Sequence, residues 1–240
     1  MALTAEIRWF WPHGTPSAFA VWFRGSIHHG CMVGGGRSCT DTHLRWDGHP
    51  RWDIRRRGST ISIKAFQSAL PEGCDVPPFE GDISLWFDLI SKHDPPPGAV
   101  PVELIGRRWR RLFDTARRQA DEIRLASPGS PDKIQAADVS PRCEVDLAEF
   151  EVGDLGERWA TFGLTAFGTS DSLAESIRRT AMVLNERRPP PLEDAFAMTL
   201  PQWLLGFGAS WRHDVAPRHP QPQVRLGQRP PPRGPRAEMT

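Results

Sequence analysis

The stretch WDIRRRGSTISIKAF, residues 52–66, decides the fold. Gly58-Ser59 sits between two alternating runs, and Gly in the first central position suits a type II′ two-residue turn. Arg57 then faces Thr60, Arg56 faces Ile61, Arg55 faces Ser62, Ile54 faces Ile63 and Asp53 faces Lys64. One face of the ribbon carries Asp53, Arg55, Arg57, Thr60, Ser62 and Lys64, and the other carries Ile54, Ile61 and Ile63. A slip of one residue would swap the two faces, so the pattern fixes the register. Three cations on one face fit either a wet sheet surface or an interior built to hold a polyanion.

The rest of the chain repeats this construction. In AEIRWFW (5–11), Glu6, Arg8 and Phe10 alternate with Ile7, Trp9 and Trp11. DTHLRW (41–46), GDISLWFDLI (81–90), VPVELIG (100–106), RCEVDLAEF (142–150) and RWATFGLTAFG (158–168) read as further strands by period-two alternation and β-rich composition. In 142–150 the polar face holds Arg142, Glu144 and Asp146. About eight strands predict an α+β, mainly antiparallel fold: a closed or partly open eight-stranded, tunnel-like barrel with a few flanking helices. SDSLAESIRRTAMVLN (170–185) is helical, with Leu173, Ile177, Ala181 and Leu184 on one stripe and Ser172 with Glu175 as a capping box. The segment 107–126 fits two readings. Its apolar spacing, with Asp114–Arg118 and Arg118–Glu122 as i,i+4 pairs, is helical; equally, the preceding strand can run on to about Phe113, with a short helix afterwards. Residues 26–40 and 127–140 read as loops. The domain spans 1–211, and the Pro- and Arg-rich segment 212–240 reads as a disordered tail.

The 240-residue chain is long enough for one large domain, and its net charge of +1 disfavours a general nucleic-acid binder. It has no Tyr, ten Trp and only three Lys, so Arg supplies most of the cationic groups. No apolar run reaches the ~18 residues of a membrane span. Four cysteines without a C-x-x-C pair, and a charged N-terminus, place the chain in a reducing cytoplasm.

The order EIRWFW, TDTHLRW, DIRRR, ISIKAF, RCEVDL, WATFGLTAFG and then a helix resembles the CYTH domains, or triphosphate tunnel metalloenzymes. The resemblance covers about residues 4–205 and rests on strand order more than on any one motif. It implies a barrel whose lumen binds, and with Mg²⁺ or Mn²⁺ hydrolyses, a triphosphate or polyphosphate; the alternative is a non-catalytic module of the same fold for ligand or protein binding. Arg8, Arg55, Arg57, Lys64 and Arg142 become the phosphate-binding set, and Glu6, Glu144 and Asp146 the metal ligands. The chain departs from the family pattern in three places. Arg8 stands where a second Glu is expected, Phe10 where a Lys is expected, and the late strand presents Thr161, Gly163 and Thr165 instead of Glu.

Two other patterns read as incidental, and two further features keep alternatives. GCMVGGGRS (30–38) lacks the Lys, the preceding strand and the following helix of a phosphate loop. His28, His29, Cys31, Cys39 and His43 match no zinc spacing. GRRWRRLF (106–113) interleaves Arg with Trp and fits a solvated face, a nucleic-acid surface or a phosphate lining. Trp203 reads as core packing or a lid contact.

Overall fold

The computed structural model describes residues 2–25, 36–91, 95–123, 141–153 and 156–208. Strand β1 (Ala2–Pro12) is followed by helix α1 (Ser17–Gly25). Next come β2 (Arg37–Arg45), β3 (Trp52–Arg57), β4 (Thr60–Cys74), β5 (Gly81–Ser91), β6 (Val100–Asp114) and β7 (Asp121–Ile123). The chain continues through β8 (Arg142–Val152), β9 (Glu157–Phe167), α2 (Ser170–Glu186), β10 (Phe196–Ala197) and α3 (Leu200–Gly208). Ten strands make one antiparallel sheet. Two of them are additions, β7 on β6 and β10 on β1; the other eight close on themselves because β1 pairs with β9 from Thr4↔Phe167 to Pro12↔Trp159. Closure gives each of the eight barrel strands a hydrogen-bonded neighbour on both sides.

The opening hairpin forms in the expected register, Arg57↔Thr60 through Asp53↔Lys64. Gly58 takes φ +57, which a side chain would resist, and Ser59 does not, as a type II′ turn requires. The described part of segment 107–126, residues 107–123, is neither one long helix nor a strand followed by a short helix. It is the second half of β6, a turn, and β7, so the i,i+4 pairs do not form. Tertiary partners decide this. Arg111 is buried against Phe23 of α1 and Phe113, and it clamps Glu122 of β7 with two hydrogen bonds of 2.7 and 2.6 Å. Two smaller expectations also change. Strand β2 begins at Arg37, inside the stretch read as loop. The N-cap of α2 is Thr169, with no side-chain cap bond, so Ser172 lies inside the helix and bonds Thr169 O instead of forming a capping box. Residues 26–35 and 127–140, and the tail 212–240, lie outside the described residues.

The largest apolar core is outside the barrel. Ile7, Trp9 and Trp11 of β1, Val145 of β8, and Phe162 and Leu164 of β9 point outward and pack under Phe19 and Phe23 of α1 and Leu173, Ile177 and Leu184 of α2. This leaves the inner face free to be charged. One end of the lumen is plugged by α3. Trp203, fully buried, stacks on Phe10 (5.3 Å, 4°) and meets Phe150 and Trp159 edge-on, each at 5.4 Å. Phe10, which stands at an expected Lys position, is therefore the floor on which the plug rests. Trp203→Ala would empty this end; a loss of about 3–5 kcal/mol in urea unfolding is expected, in the range for buried aromatics.

Candidate functional site: a charged lumen crossed by alternating ion pairs

Parity places one residue in two from every barrel strand inside. In the β1–β9–β8–β6 ladders Glu6 aligns with Thr165 and Glu144, and Arg8 with Gly163, Asp146 and Arg110. From the other side come Asp41 and His43 of β2, Asp53 and Arg55 of β3, Lys64 of β4, and Ser84, Trp86 and Asp88 of β5.

These side chains form a chain of alternating charge. Lys64 Nζ is 3.7 Å from Glu6 Oε2, and Glu6 accepts from Arg8 Nε. Arg8 donates to both oxygens of Asp146, at 3.0 and 3.3 Å, and to Thr161 Oγ1 at 3.2 Å. Asp146 lies 3.6 Å from Arg108 Nε, Arg108 lies 3.6 Å from Asp41, and Asp41 pairs with Arg55. Four cations alternate with three carboxylates. Arg110 pairs with Glu144 at 3.1 Å, and His43 Nδ1 meets Asp53 Oδ1 at 3.2 Å.

Gly163 makes the centre of this chain possible. The Arg8 guanidinium lies over it, and a Cβ there would come within 2.7 Å of Arg8 Cζ and Nη2. The late strand gives up a side chain so that an arginine from its neighbour can reach Asp146. Arg8 is locked by three partners, so it cannot simply swing aside. Gly163→Ala is expected to cost about 1–3 kcal/mol by equilibrium unfolding, the usual range for overpacking.

The protonation behaviour follows from these contacts. Burial opposes charge on Arg8, Arg108 and Lys64, yet the surrounding carboxylates raise all three above their ordinary values. Burial also pushes Asp41 up, but the hydrogen bond from Arg55 and the charge of Arg108 prevail and hold it at about 2. Asp146 and Asp53 are lowered in the same way, by Arg8 with Arg108 and by His43 respectively, against the opposing effect of burial. The stabilisation these three acids lend is complete above the unfolded carboxylate value of ~4. It is lost as pH falls through their depressed folded values. Asp88 behaves oppositely. Burial raises it, Lys64 alone lowers it, and Glu6 and Asp53 raise it further. Its Oδ1 is buried with no hydrogen-bond partner among the described residues. The stability a protonated Asp88 provides is present below ~4 and declines as pH rises through its raised folded value. Asp88→Asn is therefore expected to raise the melting temperature at pH ~7, whereas Asp146→Asn lowers it; scanning calorimetry of the two variants measures both signs.

The structure brings together Glu6, Arg8, Arg55, Lys64 and Asp146 of the residues singled out in the sequence. Glu144 faces the same lumen, paired with Arg110. Arg142 shares the inward register of Glu144, but its guanidinium lies over Phe167 (5.3 Å) at the end of the barrel opposite the Trp203 plug, not beside Arg55 and Lys64. Arg57 is placed by its backbone pairing with Thr60, and its side chain lies outside the described residues. Asp41, Asp88, Trp86, Arg108 and Arg110 were missed. The even positions of 81–90 read Asp-Ser-Trp-Asp at period two, and Arg108 and Arg110 alternate with Trp109. Both signals were legible once those segments are taken as strands.

The carboxylates do not fit Mg²⁺ or Mn²⁺ as arranged. Asp146 spends both oxygens on Arg8, Glu6 gives Oε1 to Arg8 with Oε2 facing Lys64, and Glu144 is paired with Arg110. Among the described residues no three His, Cys, Asp or Glu side chains converge as a metal site. Of the cysteine and histidine set, Cys39 is a free thiol and His43 is held by Asp53; His28, His29 and Cys31 lie outside the described residues. Among the described residues no helix is long and apolar enough to cross a membrane.

The class that fold and site define is a closed, eight-stranded antiparallel barrel with a buried, charged lumen and one plugged end. Comparison with known proteins adds no narrower identity: the chain matches no protein-family model, no curated protein and no solved structure.

Proposed function

We infer that the lumen binds a compact phosphate-bearing small molecule and does so without hydrolysing it. The observation that carries this reading is the state of the arginines on the β2–β3–β6 wall. Arg55 and Arg108 each keep a buried Nε–H with no hydrogen-bond partner among the described residues. Arg108 has carboxylates on two sides, both at 3.6 Å, beyond hydrogen-bond range. A buried donor left unmade costs about 1–3 kcal/mol, so these groups favour an incoming acceptor. Phosphate oxygens match the planar fork of a guanidinium. The strand order shared with the CYTH domains supports the same ligand class.

Binding here is an exchange. The alternating chain is close to neutral, so a bound anion has to draw Arg55 and Arg108 away from Asp41 and Asp146. This favours a small anion over a long polyphosphate. It also separates the reading from metal-dependent hydrolysis, because the carboxylates that would hold Mg²⁺ or Mn²⁺ are the ones engaged by arginine.

Thermal shift with tripolyphosphate, with and without Mg²⁺ or Mn²⁺, tests the proposal. The expected result is a metal-independent rise in melting temperature, reduced by Arg55→Ala and by Arg108→Gln, with no phosphate release. Arg110→Ala, further along β6 and paired only with Glu144 among the described residues, serves as a variant less exposed to folding loss. A melting temperature unmoved by tripolyphosphate in the parent chain sinks the reading, and metal-dependent phosphate release would restore the enzyme.

A further inference from the structure

β1 changes partner along one edge. It pairs with β5 from Ala2↔Asp88 to Glu6↔Ser84, and then with β10 at Trp9↔Ala197 and Phe10↔Phe196. Between the start of β5 and the β10–α3 segment the wall parts, and a cavity of about 270 Å³ opens there. That is just below the ~300 Å³ at which drug-sized ligand sites begin, so it suits a small molecule. Its lining differs from the arginine wall. Phe66 and Trp86, packed edge to face at 5.5 Å and 77°, supply the aromatic side. Glu6 and Asp82 supply carboxylates, Asp82 standing exposed at the rim. The one cation in the lining, Arg8, is already committed to Glu6, Asp146 and Thr161. Behind the cavity Lys64 is shared by Glu6, Asp53 and Asp88, so this side of the lumen is short of positive charge. Trp86 is 3% exposed, and its Nε1–H has no partner among the described residues.

We propose that this cavity binds a small hydroxylated ammonium compound, an amino alcohol. The ammonium is held by Asp82 beside the aromatic pair, with the negative charge of Glu6 behind it, as carboxylates and aromatic rings hold organic cations elsewhere. The hydroxyl oxygen accepts from Trp86 Nε1–H, the buried donor that otherwise goes unmade. A bare metal ion does not use the aromatic side, and an anion meets two carboxylates and a saturated arginine. The site is independent of phosphate binding by Arg55 and Arg108.

Calorimetric titration of the full chain with choline and with ethanolamine, against the neutral carbon isostere of choline, tests this. Binding of at least one ammonium, and none of the isostere, is expected. Asp82→Asn, at an exposed position, should weaken binding about tenfold, the equivalent of ~1.4 kcal/mol. Trp86→Phe keeps a ring but removes the donor and should weaken binding by a similar factor. The tripolyphosphate response should persist in Asp82→Asn, which separates the fate of this site from that of the arginine wall. No heat with either ammonium, equal binding of the isostere, or unchanged affinity in Asp82→Asn each overturns the proposal.

Discussion

Arg8 ties the lumen together. It reaches from β1 across the bare backbone of Gly163 on β9 to Asp146 on β8, and holds Glu6 on its own strand. From there the ion pairs run to Lys64 of β4 in one direction, and through Arg108 and Asp41 to Arg55 of β3 in the other. Six of the eight barrel strands are thereby linked by charge as well as by their backbone ladders. Such a network is a poor source of net stability, since taking ions out of water costs as much as pairing returns. Removing one member is a different matter, because it strands a buried opposite charge. The network is therefore best understood as what fixes one arrangement of the lumen, with Asp88 the weakest-compensated acid because it shares Lys64 with Glu6 and Asp53.

The division of labour between the two faces of the barrel follows from this. A closed barrel must fill its interior, and here the filling is ionic over most of its length, with the largest aromatic cluster at the Trp203 end. The stabilising apolar burial is moved to the outer face of β1, β8 and β9, under α1 and α2. That arrangement explains why the chain can have ten Trp and still show mixed charge on so many strands. Strands β1, β8 and β9 carry their apolar sets outward to the helices, while Leu44, Ile54 and Ile61 of β2, β3 and β4 form a smaller cluster of their own.

Within the lumen the charges are not evenly spread. Arg55, Arg108 and Arg110 face inward from β3 and β6, while Glu6, Asp53 and Asp88 surround Lys64, with Asp82 at the rim of the cavity beside Arg8. The proposed anion and ammonium sites therefore lie on different walls.

Local pattern settled much of the architecture. The hairpin register, the inward faces of β1 and β8 and the apolar stripe of α2 all follow from period and turn chemistry, because each depends on residues close in sequence. What local pattern could not settle was anything that needed a partner from far along the chain. Segment 107–126 carries both a helical and a strand period. Burial of Arg111 between α1 and β7 chooses between them. Gly163 looks like a lost carboxylate position until Arg8 is seen lying on it. Arg142 has the right parity and the wrong height, since register tells which face a residue is on but not how far along a tilted barrel it stands. Sequence alone thus determined which side chains of β1, β3, β4 and β8 share a face; only the closed fold, through strand tilt and stagger, decided that those faces point inward and which residues meet there.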